Sequence, residues 1–260
     1  MGILNVTPDS FFEASRTSSE KQIIETAERM IADGAAILDI GGQSTRPGAK
    51  LVSEDEELER VLPAVRTIRK RFPEIYISID TFYSGVAEQA VDAGAGIIND
   101  ISGGSLDPDL INMTGRLNVP YICMHIRGNP QTMQQFTKYS NLKKEILDYF
   151  ILKLEECRNA GIKDVMVDPG IGFAKNIDQN FQILKDFDFL KVLEKPILIG
   201  VSRKGIIYKT LGITAKEALN GTTVLNTVAL LKGANILRVH DVKEACECVK
   251  LISDLDRSES

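Results

Sequence analysis

The chain has 260 residues, of which 43% are hydrophobic and 26% are charged, so it is long enough to bury the core of one large domain. Its net charge of −5 argues against nucleic acid as a main partner, because no excess of lysine and arginine is available to neutralise a phosphate backbone. One small phosphorylated ligand is still allowed, since it needs only a few local cations.

No apolar run reaches the roughly 18 residues of a membrane span, and no signal peptide is visible, so we expect a cytoplasmic protein without a membrane partner. The four cysteines fit no zinc-ligand spacing and are expected to be reduced and packed in the interior. The chain reaches the strand-like run Ile3–Val6 almost at once, which leaves open whether a natural segment precedes it.

A short unit recurs along the chain, in which a helical pattern ends at a glycine and an apolar run with a polar end follows. The plainest copies surround Gly34, Gly94, Gly161 and Gly233. Glycine accepts the left-handed conformation that closes a helix. An apolar run without alternation is typical of a parallel strand buried on both faces. The repeated unit therefore indicates alternating helices and parallel strands.

In chain order, the apolar runs predict eight strands, each followed by a helical segment. The strands are expected near residues 3–6, 36–40, 75–79, 96–99, 119–124, 164–167, 196–199 and 236–239. Capping-box patterns predict helix starts at Ser19, Ser53 and Thr214. Pro63, inside the helical segment 54–71, predicts a kink or a helix broken in two.

Eight alternating units fit either a closed barrel or an open doubly wound sheet. The open sheet usually carries a glycine-rich GxGxxG turn after its first strand, whereas residues 7–10 here read Thr-Pro-Asp-Ser. Polar residues end nearly every predicted strand, as the mouth of a barrel requires. The sequence thus predicts an α/β protein, a single-domain (β/α)8 TIM barrel over residues 1–260, with its core at 1–255 and a disordered tail at 256–260.

The polar residues at the strand ends are the candidates for chemistry. They are Asn5, Asp39, Asp80, Asn99, His125, Asp168, Ser202 to Lys204, Arg238 and His240. Each alone could simply cap the next helix. Together they are expected to meet at one mouth, where buried carboxylates and amides need partners that a donor-rich ligand can supply. The loop Gly41–Gly48, with its glycines, proline and Arg46, suits an anion.

Several catalytic classes are excluded by their missing motifs. There is no HExxH sequence, and two histidines cannot build a three-histidine zinc site. Residues 200–204 are not a nucleophile elbow, because Lys204 stands where the second glycine belongs. No Walker A motif occurs, which argues against ATP hydrolysis.

Two long motifs resemble those of a known family. Residues 2–11 (GILNVTPDSF) and 41–48 (GGQSTRPG) resemble the first two signatures of the dihydropteroate synthases. Weaker motifs match in the same order at residues 78–81, 98–100, 124–125, 168–173, 202–204 and 238–240. The resemblance covers almost the whole chain. It departs at residues 12–15 (FEAS), where the family usually has Ser-Asp-Gly-Gly, and the loss of two glycines is expected to stiffen or reshape the first loop.

The resemblance implies that the enzyme joins 6-hydroxymethyl-dihydropterin diphosphate to 4-aminobenzoate and releases diphosphate. It implies a pterin site formed by Asp80, Asn99, Met124, Asp168, Phe173, Gly200 and Lys204. It implies that the diphosphate is bound by Thr45, Arg238 and His240. It implies that the 4-aminobenzoate is bound by Phe11, Thr45, Pro47 and Ser202. Asn5 is the implied Mg²⁺ ligand, and Asp9, Arg46, Lys204 and Arg238 are the implied catalytic residues.

The expected mechanism is a dissociative substitution, in which Mg-bound diphosphate departs before the amine attacks. An aniline-type amine is already unprotonated at neutral pH, so positioning and electrostatic stabilisation suffice without a strong base. The first two loops are expected to close over the site. The family also implies a homodimer and inhibition by sulfonamides.

Two other functions compete with this interpretation. A pterin-dependent corrinoid methyltransferase would share the barrel and the pterin pocket but would have no use for a diphosphate site. A non-catalytic pterin-binding paralogue would explain the altered sequence at residues 12–15. Diphosphate release from the two substrates distinguishes both from the synthase.

Overall fold

Eight short parallel strands alternate with helices in the computed structural model, which describes residues 1–7, 16–43 and 51–258 and, at 16–19, the backbone alone. The strands are β1 Gly2–Asn5, β2 Ile37–Gly41, β3 Tyr76–Asp80, β4 Ile97–Asp100, β5 Tyr121–Met124, β6 Val165–Asp168, β7 Leu198–Ile199 and β8 Ile236–Leu237. The α-helices are α1 Arg16–Ala32, α2 Glu54–Arg71, α3 Ser84–Asp92, α4 Asp109–Leu117, α5 Leu142–Asn159, α6 Ile177–Lys185, α7 Gly205–Leu211, α8 Leu219–Leu231 and α9 Val242–Arg257. Short 3₁₀ helices cover Met133–Gln135, Phe187–Leu193 and Ala215–Glu217.

The sheet closes on itself. Strands β1 to β6 pair in order, and β7 pairs with β8. Single bridges between Val167 and Ile197 and between Gly2 and Val239 join the two parts at both seams. The backbone N–H of Ile3 donates to the carbonyl of Val239 at 2.9 Å. The barrel prediction is confirmed, and the bounds of all eight strands lie within two residues of the predicted ones.

Alternation along the strands creates two interiors. Outward-facing residues such as Ile40 and Ile79 are fully buried against the surrounding helices. Inward-facing Ile97, Ile122 and Leu198 form a separate apolar plug at the amino-terminal end of the barrel. The inward positions nearer the carboxyl ends are polar instead. We call this polar layer the cup, and it comprises Asn5, Asp39, Asp80, Asn99, Asp168, Lys204 and Arg238.

The predicted helix starts hold at Ser53 and Thr214 but not at Ser19. Ser53 precedes α2, and its Oγ accepts from the N–H of Glu56 at 3.3 Å. Thr214 precedes a 3₁₀ turn rather than an α-helix. Helix α1 begins at Arg16, one turn before Ser19. Residues 16–18 contain neither proline nor glycine, so the helical backbone extends past the capping pattern.

The prediction of a helix broken at Pro63 is wrong, because α2 runs without interruption from Glu54 to Arg71. Pro63 and Glu59, whose carbonyl loses its intrahelical donor, are both exposed, so water can satisfy that carbonyl. Burial of Val61 and Ile68 on the opposite face holds the two halves together.

The last helix also differs from expectation, since α9 continues to Arg257 and the expected tail starts inside its final turn. The N–H of Ser258 still donates to the carbonyl of Asp254 at 3.2 Å, which extends the helical pattern to the end of the described chain. Within the described ranges, no helix has the length and apolar character to span a membrane.

Candidate active site

The strand register places four positions in one row across the mouth. Asn5 pairs with Gly41, Gly41 with Asp80, and Asp80 with Asn99. Gly41 has no side chain, and a methyl group there would lie 3.5 Å from Asp80 Oδ2 and 3.7 Å from Asn5 Oδ1. The side-chain oxygens of Asn5 and Asp80 therefore border the same small space above Gly41.

One side of the cup is a closed network of charges around Arg238. Its Nε donates to Asp39 at 2.6 Å, and its Nη2 donates to Asp80 at 2.5 Å. Asn99 Nδ2 donates to the same Asp39 oxygen at 3.1 Å. The second oxygen of Asp39 is buried and has no hydrogen-bond partner in the described part of the chain. It is a free acceptor at the floor of the cup.

Burial and pairing act in opposite directions on these groups. Desolvation raises the pKa of Asp80, and the Arg238 guanidinium opposes that rise. Burial by itself lowers the pKa of Arg238, but the Asp39 and Asp80 carboxylates outweigh it and raise the pKa overall. Arg238 therefore keeps its positive charge, and the charge state of Asp80 depends on having Arg238 beside it.

The other side of the cup contains Asp168 and Lys204, which bond to the backbone. Asp168 Oδ1 accepts from the N–H of Gly170 at 2.7 Å, and Lys204 Nζ donates to the carbonyl of Ile171 at 2.8 Å. Burial raises the pKa of Asp168, opposed by Lys204. Burial lowers the pKa of Lys204 to about 8, opposed by Asp168. This ammonium can still lose its proton near neutral pH.

Gly200 lies between the Lys204 ammonium and the Cβ of Arg238. A methyl group on Gly200 would lie 3.6 Å from Lys204 Nζ and 3.8 Å from Arg238 Cβ. The missing side chain leaves open a space of about one methyl group between them.

An apolar wall rises beside the cup. Met124 and Phe173 are 3% and 7% exposed and belong to one cluster with Phe82, Ile101 and Ile126. Met124 pairs in register with Asp168, and Lys204 Nζ lies 4.8 Å from the centre of the Phe173 ring. Aromatic and thioether surfaces of this kind pack against planar rings.

Ser202 and His240 contact each other at the rim. Ser202 Oγ lies 3.1 Å from His240 Nδ1 and accepts from the His240 N–H at 3.2 Å. Between Ser202 and Lys204, Arg203 adopts a positive φ of 53° and binds Asp241 with two nitrogens at 2.9 and 2.8 Å. This fork ties the loop after β7 to the start of α9 and fixes the residues on either side of it.

The structure brings most of the predicted residues together. Eleven of them lie at the carboxyl ends of the strands or in the loops that follow: Asn5, Asp80, Asn99, Met124, Asp168, Phe173, Gly200, Ser202, Lys204, Arg238 and His240. The predicted residues Asp9, Phe11, Thr45, Arg46 and Pro47 lie outside the residues that the structure describes, as does the altered stretch at 12–15.

Sequence reasoning missed the roles of two residues, Asp39 and Lys175. Asp39 was a strand-end residue without a role, although it holds both Arg238 and Asn99. Lys175 is 3% exposed and binds His125 beside the site. The signal for Asp39 was its place on an otherwise apolar strand. Lysine is usually exposed, so nothing in the sequence indicated that Lys175 is buried.

The cup offers oxygen ligands to a metal but no preformed cage. Among the described residues, no group of three or more histidine, cysteine or acidic side chains could hold an ion. Asn5 Oδ1 and Asp80 Oδ2 border one space, which suits Mg²⁺, an ion that keeps several waters and needs one or two protein oxygens beside substrate phosphates.

Comparison with known proteins agrees with this geometry. Residues 1–240 match the pterin binding enzyme family. The chain is 44% identical to the dihydropteroate synthase of Synechocystis over 99% of this chain and 90% of that protein. It is 41% identical to the Escherichia coli dihydropteroate synthase over 97% of this chain and 89% of the relative. The Yersinia pestis dihydropteroate synthase, solved as a sulfonamide drug complex, superposes with a TM-score of 0.92 at 37% identity, covering 99% of this chain and 94% of its own. The chain belongs to the pterin-binding enzyme family and, within it, to the dihydropteroate synthases.

Proposed function

We propose that the cup performs the dihydropteroate synthase reaction with the residues that face it. In this reaction the methylene carbon of the dihydropterin loses its bond to a diphosphate oxygen and gains a bond to the amine nitrogen of 4-aminobenzoate. The amine gives up one proton. The observation that carries the proposal is that Asp80, Asn99 and Asp168 meet Lys204 and Arg238 in one polar layer above a closed apolar plug.

The pterin ring is proposed to lie beside the apolar wall. Its edge carries guanidine-like N–H groups, for which Asp168 and Asp80 are acceptors, while Asn99 can both donate and accept. Lys204, which stands over Phe173 and near Asp168, is proposed to donate to the ring carbonyl or a ring nitrogen. Met124 and Phe173 would cover the ring face, and the space at Gly200 would admit its edge.

Arg238 and His240 are proposed to bind the diphosphate, together with Thr45 by family resemblance. Arg238 uses Nε and Nη2 on carboxylates, and its remaining guanidinium N–H groups suit phosphate oxygens. Asn5 would hold Mg²⁺ beside Asp80. When bound, Mg²⁺ supplies positive charge that offsets the charge on the departing diphosphate.

The 4-aminobenzoate is proposed to bind at the rim. Ser202, already fixed by His240, would donate its hydroxyl to the carboxylate, and Phe11, Thr45 and Pro47 would complete the pocket by family resemblance. A sulfonamide, as a mimic of 4-aminobenzoate, is expected to compete at this position. Inhibition that is competitive with 4-aminobenzoate, and not with the pterin, would support the placement.

The mechanism that we propose is dissociative. The electron-rich pterin ring stabilises positive charge on the methylene carbon, so the carbon–oxygen bond can break before the carbon–nitrogen bond forms. The fixed dipoles and charges of the cup then stabilise that charge distribution without reorganising. No general base is required, because the amine is neutral before it attacks. Asp9 and Arg46 are proposed to complete the catalytic set from the two loops.

A diphosphate-release assay with both substrates tests the proposal. Asp80→Ala and Lys204→Ala are expected to lower turnover by roughly 100-fold or more while the circular dichroism spectrum stays that of the parent. Asp148→Ala, which removes an exposed partner of Lys144 on α5, is the control and should keep full activity. Near-normal turnover of both cup variants would refute the residue assignment. Pterin binding without diphosphate release would favour a methyltransferase or a non-catalytic paralogue.

The assembly and the compartment are proposals of the same kind. We propose a homodimer that uses the outer faces of α8 and α9, where Val224, Leu231 and Leu251 are 52%, 56% and 69% exposed. We also propose that the enzyme works in the cytoplasm, where its free cysteines stay reduced. Sedimentation at micromolar concentration measures the oligomeric state. A monomer at that concentration would contradict it.

A further inference from the structure

A buried lysine lies beside the cup, in the loop that follows β6, and its three hydrogen bonds go to groups outside the cup. Lys175 is 3% exposed, and its Nζ lies 2.9 Å from His125 Nδ1, 3.1 Å from the carbonyl of Gly170 and 2.9 Å from the carbonyl of Phe173. An ammonium group has three N–H donors, and here it finds three acceptors. A fully buried lysine is rare unless it is paired in this way.

Two of these acceptors belong to the loop that follows β6, residues 169–175. This loop supplies Phe173 and the Ile171 carbonyl to the site, and its Gly170 N–H donates to Asp168 at the end of β6. The loop turns sharply, because Gly170 has a φ of 69° and Ala174 has a φ of 50°. A non-glycine residue in the left-handed region is held there by its surroundings at a cost in free energy. The bonds from Lys175 to the carbonyls of Gly170 and Phe173 are part of those surroundings.

The third acceptor connects this loop to the neighbouring strand. His125 directly follows β5, and a methyl group on Gly170 would lie only 2.2 Å from the His125 carbonyl, so the two backbones touch. Burial lowers the pKa of His125 well below its ordinary value, so its ring is neutral. Because Lys175 donates to Nδ1, the remaining ring proton is assigned to Nε2. The ring stands edge-on to Tyr149 at 4.9 Å.

We infer that Lys175 is a positioning residue for the pterin pocket, because it fastens the 169–175 loop to His125. The inference rests on the pterin site proposed above. Lys175 sets the place of Asp168 and Phe173 through backbone hydrogen bonds. Burial lowers the pKa of Lys175 to about 7, opposed by Asp168, so below that pH its charge also helps to keep Asp168 ionised. Loosening the loop should therefore weaken pterin binding and leave the rim pocket for 4-aminobenzoate unchanged.

Lys175→Met tests this, because it keeps the length of the side chain and removes the three donors. We expect KM for the pterin diphosphate to rise about tenfold or more, and KM for 4-aminobenzoate to change less than about twofold. The matched control is Lys143→Met, which breaks a half-exposed ion pair with Asp186 of 2.8 Å and should leave both KM values as they are. Equal KM values in Lys175→Met and the parent would overturn the inference.

The pH profile separates positioning from a general loss of folding. Lys204, Arg238 and Lys175 are the cations that face Asp168. Without Lys175 the pKa of Asp168 should rise, so the acid limb of kcat/KM for the pterin diphosphate should move to higher pH. A smaller active fraction would lower the whole profile without moving that limb. If the acid limb does not move in a well-folded Lys175→Met variant, the electrostatic effect of Lys175 on Asp168 is wrong.

A second variant keeps the test decisive if Lys175→Met does not fold. His125→Phe retains a ring against Tyr149 and removes one acceptor, so it should raise KM for the pterin diphosphate in the same direction but less. An unchanged KM there would overturn the inference. Asp168→Asn in the same assay reports on the pocket itself. If Asp168→Asn is normal, the pterin site has been misplaced; if Asp168→Asn is impaired and Lys175→Met is normal, only the role of Lys175 is wrong.

Discussion

The two sides of the cup contain the same kinds of residue but satisfy them differently. On one side, Arg238 pairs with the carboxylates of Asp39 and Asp80. On the other, Lys204 and Asp168 bond to a backbone carbonyl and a backbone N–H. Charges that neutralise each other form a framework, and loss of its central cation, Arg238, should destabilise the fold. Charges bonded only partly, and to neutral groups, stay available to a ligand, so their loss should affect catalysis.

The largest expected effect is on the Lys204 side. Lys204→Met should lower kcat/KM by roughly 1000-fold, about 4 kcal/mol of transition-state stabilisation, because the donor to the pterin ring is lost. The free energy of unfolding should stay the same or rise, since burial of this ammonium lowers its pKa and therefore opposes folding. Steady-state kinetics and urea denaturation measure the two quantities. A marked loss of stability would remove the distinction between the two sides.

The next largest effect is expected on the Arg238 side, where the free energy of unfolding should change strongly. Arg238→Met leaves Asp39 and Asp80 buried without their cation, and we expect unfolding to become easier by about 3–5 kcal/mol at neutral pH. The same variant should recover stability as the pH falls. Burial already raises the pKa of Asp80 to about 7, and loss of the guanidinium raises it further, so protonation of Asp80 removes its unpaired charge. Urea denaturation at pH values from about 5 to about 8 measures this recovery of stability. A stability equal to that of the parent would show that the network is not a framework.

A pH effect of intermediate size sharpens the comparison. The pKa of Lys204 is lowered to about 8, so this residue is protonated below that pH and loses its charge as the pH rises through it. We expect kcat/KM for the pterin diphosphate to fall about tenfold per pH unit on the basic side. Arg238 does not titrate in this range, because its pKa is raised. Lys204→Arg should remove the basic limb, and a limb that persists would assign it to another group.

The smallest effect is expected from Asp39→Asn. The amide keeps the shape of the side chain and can still accept from Asn99 or Arg238, while Asp80 continues to neutralise the guanidinium. We expect a loss of stability of about 1–2 kcal/mol, well below that of Arg238→Met. Thermal and urea unfolding of Asp39→Asn and Arg238→Met compares the two losses of stability. A loss as large as that of Arg238→Met would mean that Asp39 carries the network by itself.

Much of this arrangement was predictable because it follows from alternation along strands. In β3 the apolar Ile77 and Ile79 point to the helices, which leaves Ser78 and Asp80 to point inward. The same period places Asn99 and Asp168 in the mouth, and a sequence shows a period of two directly. Helix boundaries were less predictable at Ser19 and Pro63. Where a helix begins, and whether it continues through a proline, depend on exposure and on packing against neighbouring elements. The local sequence does not show either of these.

By itself, the sequence determined the barrel, the order of its strands and which residues stand at their carboxyl ends, since these depend on local periodicity and chain connectivity. Tertiary structure alone decided how those residues pair. Asp39 and Arg238 are 199 positions apart, and Lys175 and His125 are 50 apart. Hydrogen bonds between such residues depend on side-chain direction at distances of about 3 Å, and only the closed barrel fixes that direction.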